Sequence, residues 1–152
     1  MLLSPTVLLS QATVLVVDDE EFVRSYTSRV MEEAGYHVLT AGDGIQAMSV
    51  LQQSRLPVQL VITDVSMPRM TGPELAAHIA TERHGPPVLF ISGGYSSDLP
   101  GPFLRKPFLP HHLSGLARRM LCSRMSPALR LAHGECRKAL MLALVSVGSK
   151  NV

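Results

Sequence analysis

The sequence predicts an α/β fold, a parallel sheet with helices packed on both of its faces. Two observations carry that prediction. Continuous apolar, largely β-branched runs recur along the chain, the pattern of strands covered on both sides. Between them lie segments whose apolar residues return every three or four positions, bounded by Asp, Gly or Pro. Strands that alternate with helices are joined by crossovers and so run parallel. The 152 residues, 46% hydrophobic, suffice for one domain with one substantial core.

The elements follow in order. "TVLVV" (Thr13–Val17) is the first strand. Phe22, Tyr26, Val30 and Ala34 recur every four residues and mark one helical face, and Gly35 stops that helix. "YHVLTA" (Tyr36–Ala41) is the second strand, and Asp43 caps a helix carrying Ile45, Met48 and Leu51 that closes near Pro57. "QLVIT" (Gln59–Thr63) is the third strand, running into Asp64. Gly72-Pro73 opens a helix with Leu75 and Ile79 inward, ending before Gly85. "VLFIS" (Val88–Ser92) and the short "FLRK" (Phe103–Lys106) are the fourth and fifth strands. Leu113, Leu116, Ala117, Met120 and Leu121 then form one face of a last helix.

Short right-handed connections favour the flavodoxin-like strand order 2-1-3-4-5. One connection breaks the rule. Only ten residues, Gly93–Pro102, separate Ser92 from Phe103, and five of them are Gly or Pro. A crossover with its helix needs at least ~10–12 residues. The helix between strands four and five is therefore shortened or absent. The chain divides into an N-terminal extension (1–12), the α/β body (13–122) and a C-terminal tail (123–152).

Bulk properties exclude several classes. The net charge of +2 is uneven, since residues 123–152 hold five basic groups and one acid. That contrast is too weak to indicate a nucleic-acid partner. "ALMLALVSV" falls short of the ~20 apolar residues of a membrane span. "MLLSPTVLLSQA" has no basic start and contains Pro5, so it does not read as a signal peptide. Cys122 and Cys136 have no metal-ligand spacing and form no disulfide framework. A cytoplasmic protein is expected.

In open parallel sheets, functional groups gather at the carboxyl ends of the strands. Here those ends are Asp18-Asp19, Asp64, Ser92 and Lys106, which the strand order brings to one edge. Three clustered carboxylates repel unless a cation sits among them, and an oxygen-only donor set suits Mg²⁺. A lysine and a hydroxyl opposite can hold the remaining oxygens of a phosphoryl group. Each residue alone has an ordinary reading: an N-cap for Asp18-Asp19, a turn for Asp64, a solvated cation for Lys106. Their joint order makes the site.

The motifs "VLVVDDEE", "LVITDVSMPRMTGPEL", "VLFISGG" and "FLRKPF", in that order, resemble the receiver domain of two-component response regulators over about Thr13 to Cys122. The resemblance implies that Asp64 accepts a phosphoryl group from the phosphohistidine of a sensor histidine kinase or hybrid kinase. It also implies Mg²⁺ ligation by Asp19 and Asp64, by Asp18 through water, and by the backbone carbonyl of Ser66. Lys106 would neutralise a phosphoryl oxygen, Ser92 would swing toward another, and Phe103 matches the aromatic that turns inward with it, although a plain core aromatic fits equally. The Lys106–Pro107 bond is expected to be cis. Such a protein is no enzyme beyond its own phosphorylation and dephosphorylation. The small Ser66 and Gly94, two positions beyond Asp64 and Ser92, leave the phosphoryl lifetime open.

The abbreviated loop after Ser92 resembles receivers attached to hybrid kinases more than those of transcription factors. It removes much of the surface through which the family reports phosphorylation. The alternative is a non-phosphorylated pseudo-receiver, an interaction module that keeps the fold. A small-molecule phosphatase with an aspartate nucleophile typically shows Asp-x-Asp, whereas Ser66 stands at the second position here. The tail is too short for a helix-turn-helix domain. A helix opened by Ser126-Pro127, with Leu129, Ala132, Cys136, Ala139 and Ala143 on one face, can cover the sheet, pair two subunits as a homodimer, or stay unstructured.

Overall fold

A computed structural model describes residues 12–94 and 98–125. The N-terminal extension up to residue 11 and the tail beyond residue 125, with its expected helix and Cys136, lie outside the described residues. The elements are β1 (Thr13–Val17), α1 (Glu21–Glu33), β2 (His37–Ala41), α2 (Gly44–Gln53), β3 (Val58–Asp64), α3 (Gly72–Thr81), β4 (Val88–Ser92), β5 (Phe103–Arg105) and α4 (Pro110–Ser123). All five strands are parallel, in the predicted order β2-β1-β3-β4-β5. Among the described residues no helix lies between β4 and β5.

Side chains alternate across a strand, so the strands inside the sheet feed two cores. Val14, Val16, Leu60, Ile62, Leu89 and Ile91 face Val30 and Met31 of α1 and Leu113, Ala117 and Leu121 of α4. Leu15, Val17 and Val61 face Ala47 of α2 and Leu75 and Ile79 of α3. The register Val14↔Leu60, Leu15↔Val61, Val16↔Ile62 keeps like faces together. Because β1 and β3 are covered on both sides, their sequence is apolar without alternation.

The inward face of α1 corrects the sequence reading. Its buried residues are Thr27, Ser28, Val30 and Met31, while Phe22 is 93% exposed and Tyr26 is exposed as well. A strict four-residue repeat drifts by ~40° per step on a helix of 3.6 residues per turn. The set from Phe22 to Ala34 therefore sweeps across the surface, and only Val30 meets the core. In α2 likewise the buried side chain is Ala47, and Ile45 is exposed.

The predicted Gly35 stop and Asp43 cap are in place, and α3 has a cap that the sequence reading did not name. Gly35 takes φ 94°, with its N–H donated to Glu32 and that of Tyr36 to Met31, a Schellman closure that a Cβ would strain. The Asp43 side chain accepts from Gln46 N at 2.8 Å. Thr71 and Glu74 form a reciprocal capping box at the start of α3.

β5 is an edge strand. Leu104 packs on the α1/α4 core, so Phe103 and Arg105 point to the opposite face, the one a crossover helix would cover. Phe103 is 46% exposed. The reading of Phe103 as a core aromatic does not hold, because no helix among the described residues covers it.

Candidate functional site

The parallel register delivers the ends of β1, β3, β4 and β5 to one edge. Asp18 directly follows β1, Asp64 closes β3, Ser92 closes β4 and Lys106 directly follows β5. Carboxylate oxygens of Asp18, Asp19 and Asp64 all lie within 4.8 Å of one another. Asp18 and Asp64 are buried and Asp19 is exposed, so the cluster opens to solvent on the Asp19 side.

Lys106 Nζ reaches both buried acids, 3.2 Å from Asp18 Oδ2 and 3.3 Å from Asp64 Oδ1. Its backbone is fixed from behind, where Lys106 N donates to Ser92 O at 2.8 Å. The Lys106–Pro107 bond is cis, as expected. Burial pushes the Asp64 carboxyl up, Lys106 pulls it down and Asp18 pushes it up again, leaving it raised above the ordinary value. Burial alone would lower the Lys106 ammonium, but Asp18 and Asp64 together outweigh it and leave it raised. One lysine thus faces two buried acids at short range, with the Asp19 carboxylate beside them.

Asp18 is held in position by three contacts besides Lys106. Its Oδ1 accepts from Glu20 N at 2.9 Å and its carbonyl from Arg24 Nη1 at 2.7 Å, while its N–H donates to Ala41 O. The loop after Asp64 is equally constrained. Arg69 adopts φ 68° within a turn closed by Met70 N on Pro68 O, and Gly72 N donates to Val65 O. A Cβ on Gly72 would sit 2.3 Å from Asp64 O. Glycine is therefore what allows the loop to fold back against the end of β3. Ser66 lies exposed on this loop.

Ser92 is buried beside the cluster, and its hydroxyl is turned to the following loop. It accepts from Gly94 N at 3.1 Å and donates to Gly94 O at 3.3 Å. Phe103 stands at the surface on the edge strand that Lys106 directly follows. Sequence reasoning missed the support groups Arg24 and Arg69, the latter paired with Asp43. It also missed an apolar recess of about 550 Å³ beside Lys106, lined by Phe22, Val23, Tyr26, Pro107 and Phe108. The signal was present in Phe22, an aromatic just past "DDEE", but its placement on the inner helix face hid it.

Three acids and one lysine leave the edge with excess negative charge from oxygen donors only. That donor set fits a hard divalent cation such as Mg²⁺. It also leaves an ammonium and a hydroxyl at hand for an anion brought against Asp64. A family model described as response regulator receiver domain matches residues 14–100. The chain belongs to that family.

Known relatives agree. Over 124 residues the receiver is 33% identical to the sensor kinase CckA of Brucella abortus, covering 76% of this chain and 13% of that protein. It is 32% identical over 116 residues to the response regulator receiver protein CpdR of the same organism, covering 71% of this chain and 95% of that protein. Among solved structures, the receiver domain of the hybrid histidine kinase CckA superposes with a TM-score of 0.63 at 34% identity, over 72% of this chain and 99% of that one. CckA and six other curated relatives are longer, and the chain spans 13% to 53% of their length. Among the described residues, no helix of this receiver is long and apolar enough to cross a membrane.

Proposed function

We propose that this receiver accepts a phosphoryl group on Asp64 from the phosphohistidine of a partner histidine kinase, free-standing or hybrid. The observation that carries the reading is Lys106 Nζ, 3.2 and 3.3 Å from Asp18 and Asp64, at the mouth of a three-carboxylate cluster. In the transfer, the phosphorus–nitrogen bond to the donor breaks and a phosphorus–oxygen bond to the Asp64 carboxylate forms. A carboxylate is a weak nucleophile, yet phosphoryl transfer asks mainly for alignment and charge neutralisation. The stiff end of β3 and the Gly72 turn align Asp64. Lys106 turns from its two carboxylates to the incoming phosphoryl oxygens.

Asp19 and Asp64, with Asp18 through water and the Ser66 carbonyl, would hold Mg²⁺, which supplies charge neutralisation at the transferred group when bound. The Ser92 hydroxyl exchanges its Gly94 partner for a phosphoryl oxygen, and Phe103 on the neighbouring edge strand responds to that move. The recess around Phe22 and Phe108 offers an apolar footing for a protein donor beside Lys106. Its open aromatic suits a protein better than a small phosphodonor.

The missing crossover helix favours one other reading, an interaction module that is never phosphorylated. Intact-mass spectrometry after incubation with Mg²⁺ and acetyl phosphate separates the two. A single phosphoryl adduct that needs Mg²⁺ and vanishes in Asp64→Asn supports the phosphoacceptor. Absence of an adduct in folded protein, together with no Mg²⁺-dependent binding of beryllofluoride, would overturn it in favour of the interaction module.

A further inference from the structure

The missing crossover helix leaves a groove of about 980 Å³ between α3 and α4. Ala76, Ala77 and Ala80 of α3 and Met120 of α4 form its walls, and Val88 and Phe90 of β4 its floor. The exposed wall of α3 is alanine, with Ile79 buried at its base, so another helix can approach closely.

The chain leaves the described structure at the rim of this same groove. Ser123 and Arg124 line it, and Arg124 Nη1 donates to Gly85 O across the rim at 3.0 Å. A further 27 residues, 126–152, follow. Ser126-Pro127 has the residues of a helix start, an N-cap serine and a proline at the first helical position. Leu129, Ala132, Cys136, Ala139 and Ala143 then return at helical spacing, mostly small, against the small side chains of α3. Twenty such residues in a helix span ~30 Å, the width of a small domain.

We propose that residues 126–152 fold back as an amphipathic helix into the groove, in the place of the missing crossover helix. A tether that starts at the rim gives this segment an effective concentration of about millimolar or above, which a second copy of the chain cannot match at ordinary concentrations. The docked segment would rest on Phe90, two residues before Ser92, and beside Pro102, next to Phe103. This docking is independent of phosphorylation and supplies the face that the family's helix would have supplied.

Hydrogen–deuterium exchange of the full chain, read by mass spectrometry at two protein concentrations, tests it. The expected result is at least tenfold protection of amides within 128–145 relative to unfolded peptide, unchanged on dilution. Ala80→Glu on the groove wall and Ala139→Glu on the tail each remove that protection, while the amides of Val14–Val17 keep theirs. A tail that exchanges freely in the wild type, or stays protected in Ala80→Glu, would overturn the proposal. Protection lost on dilution would overturn it too, since a second copy would then fill the groove. If Ala80→Glu unfolds the body, Ala139→Glu decides alone.

Discussion

At the residue scale the site is under electrostatic load before any cation or phosphoryl group arrives. Burial is the largest cause that raises the Asp64 carboxyl, and Asp18 adds to it. A carboxyl whose folded pKa lies above its unfolded one contributes stability that is fully present below the unfolded value, about 4. That contribution is lost as pH rises through the folded value. Metal-free Asp64→Asn should therefore match the wild type in thermal stability near pH 3 and exceed it near pH 7. Added Mg²⁺ should narrow the gap by stabilising the wild type alone. Melting curves at both pH values, with and without Mg²⁺, check this; equal wild-type and variant curves at pH 7 would refute the loaded site. Lys106 and Tyr36 are raised as well, so both lose their contribution at the alkaline end, above about 10. The acidic cluster was legible in the sequence because strand order places those residues at one edge. The Ser92–Gly94 hydrogen bonds were not, since hydroxyl orientation depends on a loop that only the three-dimensional path defines.

At the scale of elements, the sequence was most legible where local chemistry decides. Asp43, Gly35 and Gly72-Pro73 each carry a local backbone requirement, and each stands where it was read. The α1 face was misread because hydrophobicity alone was counted. Phe22 and Tyr26 are large and apolar, but the helix turns Thr27 and Ser28 inward, with Ser28 Oγ donating to Arg24 O at 2.8 Å. A hydroxyl that bonds its own helix, as that of Ser28 does, can be buried at little cost, whereas the Thr27 hydroxyl is buried without a partner among the described residues. Two predictions belong here. Thr71→Ala removes the capping box of α3 and should cost about 0.5–2 kcal/mol in denaturant unfolding. Gly72→Ala forces a Cβ against Asp64 O and should cost about 1–3 kcal/mol. Only Gly72→Ala should also slow phosphoryl uptake from acetyl phosphate, because it moves the backbone of the acceptor itself. Equal uptake in both variants would show that the turn does not align Asp64.

At the scale of the whole molecule the two faces of the sheet are unequal. The α1/α4 face is closed by two helices over β1, β3 and β4, with Leu113 fully buried at its centre. The α2/α3 face ends at β4, and Phe103 and Arg105 of β5 stand beyond it. Stability should follow that asymmetry. Leu113→Ala leaves a cavity in a core that cannot collapse and should cost about 2–5 kcal/mol. Phe103→Ala removes a side chain already half in water and should cost far less, despite its larger size. Opening should follow the same order: native-state hydrogen exchange should show β1 and β3 opening only with global unfolding, and β5 opening at lower free energy. Lys106 follows β5 directly, so the edge that loosens most easily is also the one that carries the cation. Mg²⁺ with beryllofluoride, by drawing Lys106 onto an anion at Asp64, should slow exchange at Leu104 and Arg105 more than at Val14–Val17. Uniform slowing across the sheet would show instead that ligation tightens the fold as a whole and that β5 has no separate response.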